Sequence, residues 1–152
     1  MIFVKTETLS PSLQNKLLEA WNNEYPSVLQ HHLISFQHYL ESLVNLHHIV
    51  VTDDDQNFCA WYFEFDRDHE RQFGIIVHKN YQNRGIGREL LAKSKLTNKQ
   101  LSAWVIDSNK YKKKDGSSYN SPINFYLENG FIIEPVRWDS EKIKTVKISW
   151  HK

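Results

Sequence analysis

The stretch Phe58-Cys59-Ala60-Trp61-Tyr62-Phe63-Glu64-Phe65-Asp66 constrains the fold of this chain more than any other. Successive side chains of an extended strand point to opposite faces of a sheet. Cys59, Trp61, Phe63 and Phe65 would then share a wholly apolar face. Phe58, Ala60, Tyr62, Glu64 and Asp66 would share a second face that turns acidic towards its end. The preceding run from His47 to Thr52 reads as another strand, and Asp53-Asp54-Asp55-Gln56-Asn57 between the two reads as a hairpin turn.

The remaining elements follow from changes of period. Residues 2–8 read as a short strand. Ser10 and Pro11 then have the chemistry of an N-cap and a first helical position. Leu13, Leu17 and Trp21 give that helix one apolar face, and Tyr25-Pro26 ends it. Residues 27–45 read as a second helical stretch, with Phe36, Leu40 and Leu43 on one side. Residues 66–72 read as a polar turn and 73–78 as a short strand. A loop over 79–87, a helix over 88–99 and a strand over 101–107 follow. A short helix over 121–129, closed by Gly130, precedes two final strands. The order β-α-α-β-β-β-α-β-α-β-β predicts one mixed α/β domain over residues 1–152. Its central sheet would be mixed but mostly antiparallel, flanked by about four helices, with a strand-helix-strand crossover over 73–107.

The chain has 5 Gly, and Gly85 and Gly87 fall between a strand and a helix, in Gln82-Asn83-Arg84-Gly85-Ile86-Gly87. Glycine lets backbone amides turn outward and a ligand approach closely. A helix start offers unpaired N–H groups and partial positive charge, which together suit a phosphate. Arg84 and Arg88 add two cations at the same place. An ordinary strand-to-helix turn is the plain alternative. No GxxxxGK[ST] run occurs. A dinucleotide fingerprint would need a third glycine where Leu90 stands, although Asp107 lies about 20 residues on, where a ribose-binding acid would sit.

The run from Val77 to Leu91 resembles the acyl-CoA-binding motif of the GNAT N-acetyltransferases, Q/R-x-x-G-x-G/A. Phe125-Tyr126-Leu127-Glu128-Asn129-Gly130-Phe131 is similar to that family's FYxxxGF segment, and a helix and a strand separate the two motifs as the family requires. The resemblance implies a GNAT-like fold and an acetyl-CoA-dependent N-acetyltransferase. The strand carrying Ile75, Ile76 and Val77 would lie along the pantetheine arm. Gln82, Asn83, Arg84, Gly85, Ile86, Gly87 and Arg88 would hold the pyrophosphate. The strands at 73–78 and 101–107 would splay to admit the thioester. A small-molecule or peptide amine would attack directly, so Cys59 need not be a nucleophile. Tyr126 stands where the family carries the tyrosine that protonates the departing thiolate. A phenol of pKa about 10 can do this while neutral.

The general base is less marked. Glu64, on the less apolar face of its strand, and Asp107, at a strand end, are the candidates. Tyr25, Tyr62 and Trp104 are candidates for the acceptor site, with core packing as the plain alternative. The long connection Lys110–Pro122 would stand at the mouth of the site. Two other classes stay open. One is an acyl-CoA-binding module without turnover. The other is a nucleotide-binding domain.

Charge and cysteine content narrow the partners. With 19 basic and 18 acidic residues the net charge is +1. That builds no strong field for nucleic acid or an anionic membrane. No window approaches the ~20 apolar residues of a membrane span. The first residues lack the basic and apolar regions of a signal peptide. Cys59 is the only cysteine, which excludes an internal disulfide and fits a reducing compartment. The 8 histidines form no HExxH or HxxxH pattern. The expectation is a cytoplasmic monomer or homodimer that holds no metal.

Overall fold

A strand that is apolar on both faces must be covered on both sides, and Phe58–Arg67 is such a strand. The computed structural model describes residues Met1–Lys152. Its strands are β1 (Ile2–Thr6), β2 (Val44–Thr52), β3 (Phe58–Arg67), β4 (Glu70–Val77), β5 (Gln100–Ile106), β6 (Ile132–Asp139) and β7 (Lys144–His151). Its helices are α1 (Pro11–Glu24), α2 (Leu33–Glu41), α3 (Ile86–Thr97) and α4 (Ile123–Glu128). The strands form one sheet in the order β1-β2-β3-β4-β5-β7-β6. Only β4 and β5 run parallel; all other neighbours are antiparallel. The element order and the mostly antiparallel mixed sheet are those the sequence predicts.

Two apolar layers sandwich this sheet. Leu17 and Trp21 of α1 and Phe36 and Leu40 of α2 pack on Trp61, Phe63, Phe65 and Ile76. On the opposite face Leu90 and Leu91 of α3 and Tyr126 of α4 pack with Tyr62, Phe73, Leu101 and Ile148. No helix is long and apolar enough to cross a membrane.

Three local departures from the sequence pattern have physical causes. Cys59 packs in the α3/α4 layer rather than beside Trp61. Val51 pairs with Ala60 but Thr52 pairs with Phe58, so Cys59 is an extra residue in β3 and the alternation resets there. Residues 27–45 are not one helix. Trp21 Nε1 donates to the Leu29 carbonyl at 2.9 Å, and the Asn22 side chain bonds both backbone groups of His31. Side-chain bonds of this kind compete with helical ones. The chain makes one 3-10 turn at Ser27–Leu29, and α2 starts only after His32, whose ring caps Ser35. Finally, β4 begins at Glu70 rather than 73. Asp68 and His69 both take positive φ, 54° and 60°, and close a two-residue hairpin in which Arg67 pairs with Glu70.

The α1/α2 layer also buries one titratable ring. His48 is 2% exposed and its Nδ1 accepts from Trp61 Nε1 at 3.0 Å. Burial, with His47 alongside, pushes its pKa down to about 4. The unfolded chain therefore binds this proton from about pH 6.5 downward, whereas the folded chain binds it only near pH 4. Stability is full above 6.5 and is lost as pH falls through that window. Urea midpoints should fall between pH 7 and pH 5, and less steeply in His48→Gln, whose amide oxygen can still accept from Trp61. Equal slopes in the two proteins would remove His48 as the cause.

Candidate active site

A parallel strand pair that separates after one contact leaves a backbone edge without partners. β4 and β5 pair only at Gln72 and Ser102. Around that point the strands are clamped. Gln100 Oε1 accepts from the Arg71 amide at 2.8 Å, and Lys147 of β7 bonds Glu70. Beyond it they part. The His78 amide donates to Cys59 on the β3 side at 2.9 Å. Strand alternation then turns the polar groups of Ile75 and Val77 towards the gap. The Val77 carbonyl already accepts from Gln82 Nε2 at 3.0 Å.

At one end of this gap stands the start of α3. Gly85 is its N-cap, with φ of 81°, and no side chain caps the helix. A residue with a Cβ is strained in that conformation. The first bond of the helix runs from the Glu89 amide to Gly85. The amides of Ile86, Gly87 and Arg88 therefore have no protein partner and carry the positive end of the helix dipole. Gly87 lets α4 approach, since a Cβ there would stand 2.9 Å from Phe125 Cζ. The resulting cleft, about 610 Å³, is lined by Ile75, Ile76, Val77, Gln82, Asn83, Gly85, Ile86, Gly87 and Arg88. Arg84 does not line it; its guanidinium lies over the Tyr81 ring, 5.2 Å from the centroid.

A second cavity, about 680 Å³, opens from the α1/α2 side and is lined by Trp104 and by Tyr25. Tyr25, Ile75, Tyr119, Pro122 and Tyr126 line both spaces, so they mark where the two meet. Tyr126 is 5% exposed and packs edge-on to Phe73 and Phe131. Its hydroxyl makes no hydrogen bond within the protein. Burial pushes its pKa far up, and burial likewise lifts Tyr25 and, to about 12, Tyr119. All three are phenols, not phenolates, across the physiological range.

The other candidates lie elsewhere. Tyr62 and Glu64 share the β3 face that meets α3. The Tyr62 hydroxyl bonds Ser94, and Glu64 takes Arg71 Nε at 2.5 Å and Asn98 Nδ2 at 3.2 Å. Asp107 ends β5 but pairs with Arg137 at 2.8 Å, and that guanidinium holds its carboxyl below the usual carboxylate range. None of these three lines either cavity. For the second cavity the reason is strand parity, which sends Glu64 and Tyr62 to the face opposite Trp61, where both line a separate space against Lys93, Ser94 and Thr97 of α3.

Tyr119 is the residue that the motifs missed. It sits in the long connection before α4 and meets Tyr25 edge-on at 6.4 Å. That connection is not a loose basic loop. Lys112 accepts from the Ser27 amide at 2.8 Å, and Lys113 pairs with Glu24 at 3.0 Å. Glu24 also accepts the Lys79 amide at 3.1 Å, so one buried carboxylate ties α1, the turn after β4 and this connection together. No sequence pattern marks such a contact; only its odd length singled the segment out.

Residues 45–133 match the model of the acetyltransferase (GNAT) domain. Among curated proteins none matches the sequence significantly. Solved structures share the fold over almost its whole length. An aminoglycoside 6'-N-acetyltransferase complexed with coenzyme A is 11% identical with a TM-score of 0.71, over 99% of this chain and 97% of its own. A spermidine N-acetyltransferase variant from Vibrio cholerae is 15% identical with a TM-score of 0.66, over 99% and 95%. A GNAT-family protein from Bacteroides thetaiotaomicron is 17% identical with a TM-score of 0.65, over 100% and 88%. The domain match takes in more than half of the residues, and on that ground the chain belongs to the GNAT acetyltransferases.

Proposed function

We propose that this protein transfers an acetyl group from acetyl-CoA to a primary amine by direct attack, with Tyr126 as the general acid. The observation that carries the reading is the parted β4–β5 pair, with free amides at one end and an unpartnered phenol where the two cavities meet. The amides of Ile86, Gly87 and Arg88 suit a pyrophosphate, and Arg84 and Arg88 supply charge beside it. The polar groups of Ile75 and Val77 suit the amides of a pantetheine arm. Bound there, acetyl-CoA would supply the thioester.

The acceptor nitrogen forms its bond to the acetyl carbon as the carbon–sulfur bond breaks. Tyr126 gives its proton to the departing sulfur. The proton lost by nitrogen returns to the phenolate through water. The burial that raises Tyr126 raises the basicity of a thiolate in the same place, so the transfer stays matched. The general base proposed at Glu64 or Asp107 would have to act through water, because both carboxylates are engaged outside the cavities. A simpler route needs no base. The second cavity has no carboxylate in its lining, so it favours the neutral form of an entering amine.

That missing carboxylate also favours a second reading, an acyl-CoA-binding module without turnover. Thermal unfolding with acetyl-CoA, NAD and ATP separates the classes. At 100 times its dissociation constant a ligand adds about 2.7 kcal/mol, a shift of several degrees. A shift with acetyl-CoA and thiol release with an amine supports the enzyme. A shift without release supports the module, and a shift with NAD alone revives the nucleotide reading.

Tyr126→Phe should lower kcat by about 100-fold while acetyl-CoA affinity holds; an unchanged kcat removes the acid role. Because Tyr126 stays protonated well above pH 10, kcat/KM should rise with pH as the amine loses its proton, with no descending limb up to pH 10. A fall beginning near pH 8 would point to a different acid. Arg84→Ala with Arg88→Ala should weaken acetyl-CoA binding about tenfold or more, read by calorimetry, with the melting temperature of the free protein held.

A further inference from the structure

The second cavity has a lopsided charge. Rings make up much of its wall, including Trp21, Tyr39, Phe63, Phe65, Trp104 and Trp138. Its lining contains no Asp or Glu, and its charged members are Arg67 and Lys142. Neither of these cations makes an ion pair within the protein. The Arg67 guanidinium donates no hydrogen bond and lies over the Phe65 ring, 4.9 Å from its centroid.

Most carboxylates nearby are already engaged; Asp68 and Glu141, next in sequence to the two cations, make no ion pair but do not line the cavity. Glu24 is held by Lys113, Asp66 by Arg71, and Asp107 and Asp139 by Arg137. His31 lines the cavity as a neutral ring, since burial, with Lys142 and His32 near it, lowers its pKa. A polycationic amine would bring its second charge against the exposed Arg67 and Lys142 with no counter-charge in the lining, which is unfavourable. An anion would instead find five unengaged guanidinium donors and an ammonium.

We infer that the acceptor is a monoamine that carries a carboxylate on an apolar, ring-sized body, recognised by Arg67 and Lys142. This rests on the acetyl-transfer reading above. The strand register sets the scale. The Arg67 guanidinium lies over Phe65, which pairs with Gln72 in β4, three residues before Ile75 at the junction of the cavities. That is about 10 Å along the strand. The amine and the carboxylate therefore stand at opposite ends of the acceptor, not on one carbon. Rings stack on its body, and the guanidinium fork grips its far end.

Three amines of one shape test this: 4-(aminomethyl)benzoate, benzylamine and 1,4-bis(aminomethyl)benzene. The wild-type protein should rank them in that order of kcat/KM by thiol release, with the carboxylate at least ~10-fold above the diamine. Arg67→Glu with Lys142→Glu should cut that ratio by ~10-fold or more. A diamine used as well as the carboxylate, or a ratio unmoved by charge reversal, overturns the inference. If acetyl-CoA stabilises the protein but none of the three amines is acetylated, the acceptor class is wrong and the cofactor assignment stands. If acetyl-CoA gives no thermal shift, the acetyl-transfer reading falls and takes this inference with it.

Discussion

The single β4–β5 contact is the constraint on which the site depends. A parallel pair with a full ladder would have closed the sheet between Ile75 and Val105. Instead Gln72 and Ser102 meet once, and the Gln100 and Lys147 side chains hold only that end. Backbone groups in a sheet interior are normally paired, because an unpaired buried group costs about as much as a lost hydrogen bond. A gap lined by such groups is stable where water or a ligand amide can reach them. The clamp at one end and the Phe73–Tyr126–Phe131 cluster on the α4 side hold that gap apart.

From this gap the two cavities take different characters. The cleft towards α3 is a place of free amides, with Arg88 beside them. The space towards α1 and α2 is a place of rings, with no carboxylate. Tyr126 belongs to both and is buried enough to stay protonated. Glu24, itself in the wall of the cleft, keeps the division in place. Its ion pair with Lys113, largely out of water, fixes the connection that brings Tyr119 to the junction. Breaking a buried pair by removing one partner is far costlier than losing a surface pair. The connection is therefore part of the wall.

Much of this was legible in the residues. Element order could be read because the helix and strand periods are clear in α1, β3 and α3. The cleft was suggested by glycines flanked by two arginines between a strand and a helix, for which a plain turn was the alternative, and by the second motif falling at the family's distance from the first. Three things were not legible. The α1 side chains Trp21 and Asn22 bind backbone eight and nine residues on and stop a helix there. The Asp68-His69 turn lacks the glycine or asparagine that usually marks two positive φ angles. The base candidates looked free in one dimension, whereas Arg71 and Arg137 engage them in three.

The sequence by itself determined which residues could form strands and helices, where a phosphate could bind, and which phenol could serve as an acid. These depend on local chemistry: periodicity, glycine geometry and residue type within a few positions. The family resemblance implied that these two strands part; only the tertiary structure decided that they do so after one contact, that Tyr25 and Tyr119 join Tyr126, and that the second cavity lacks a carboxylate. Each of these depends on which distant segments meet. Side-chain alternation sends Glu64 to the face opposite the second cavity, and distant arginines and lysines neutralise the acids that a reading along the chain would leave free.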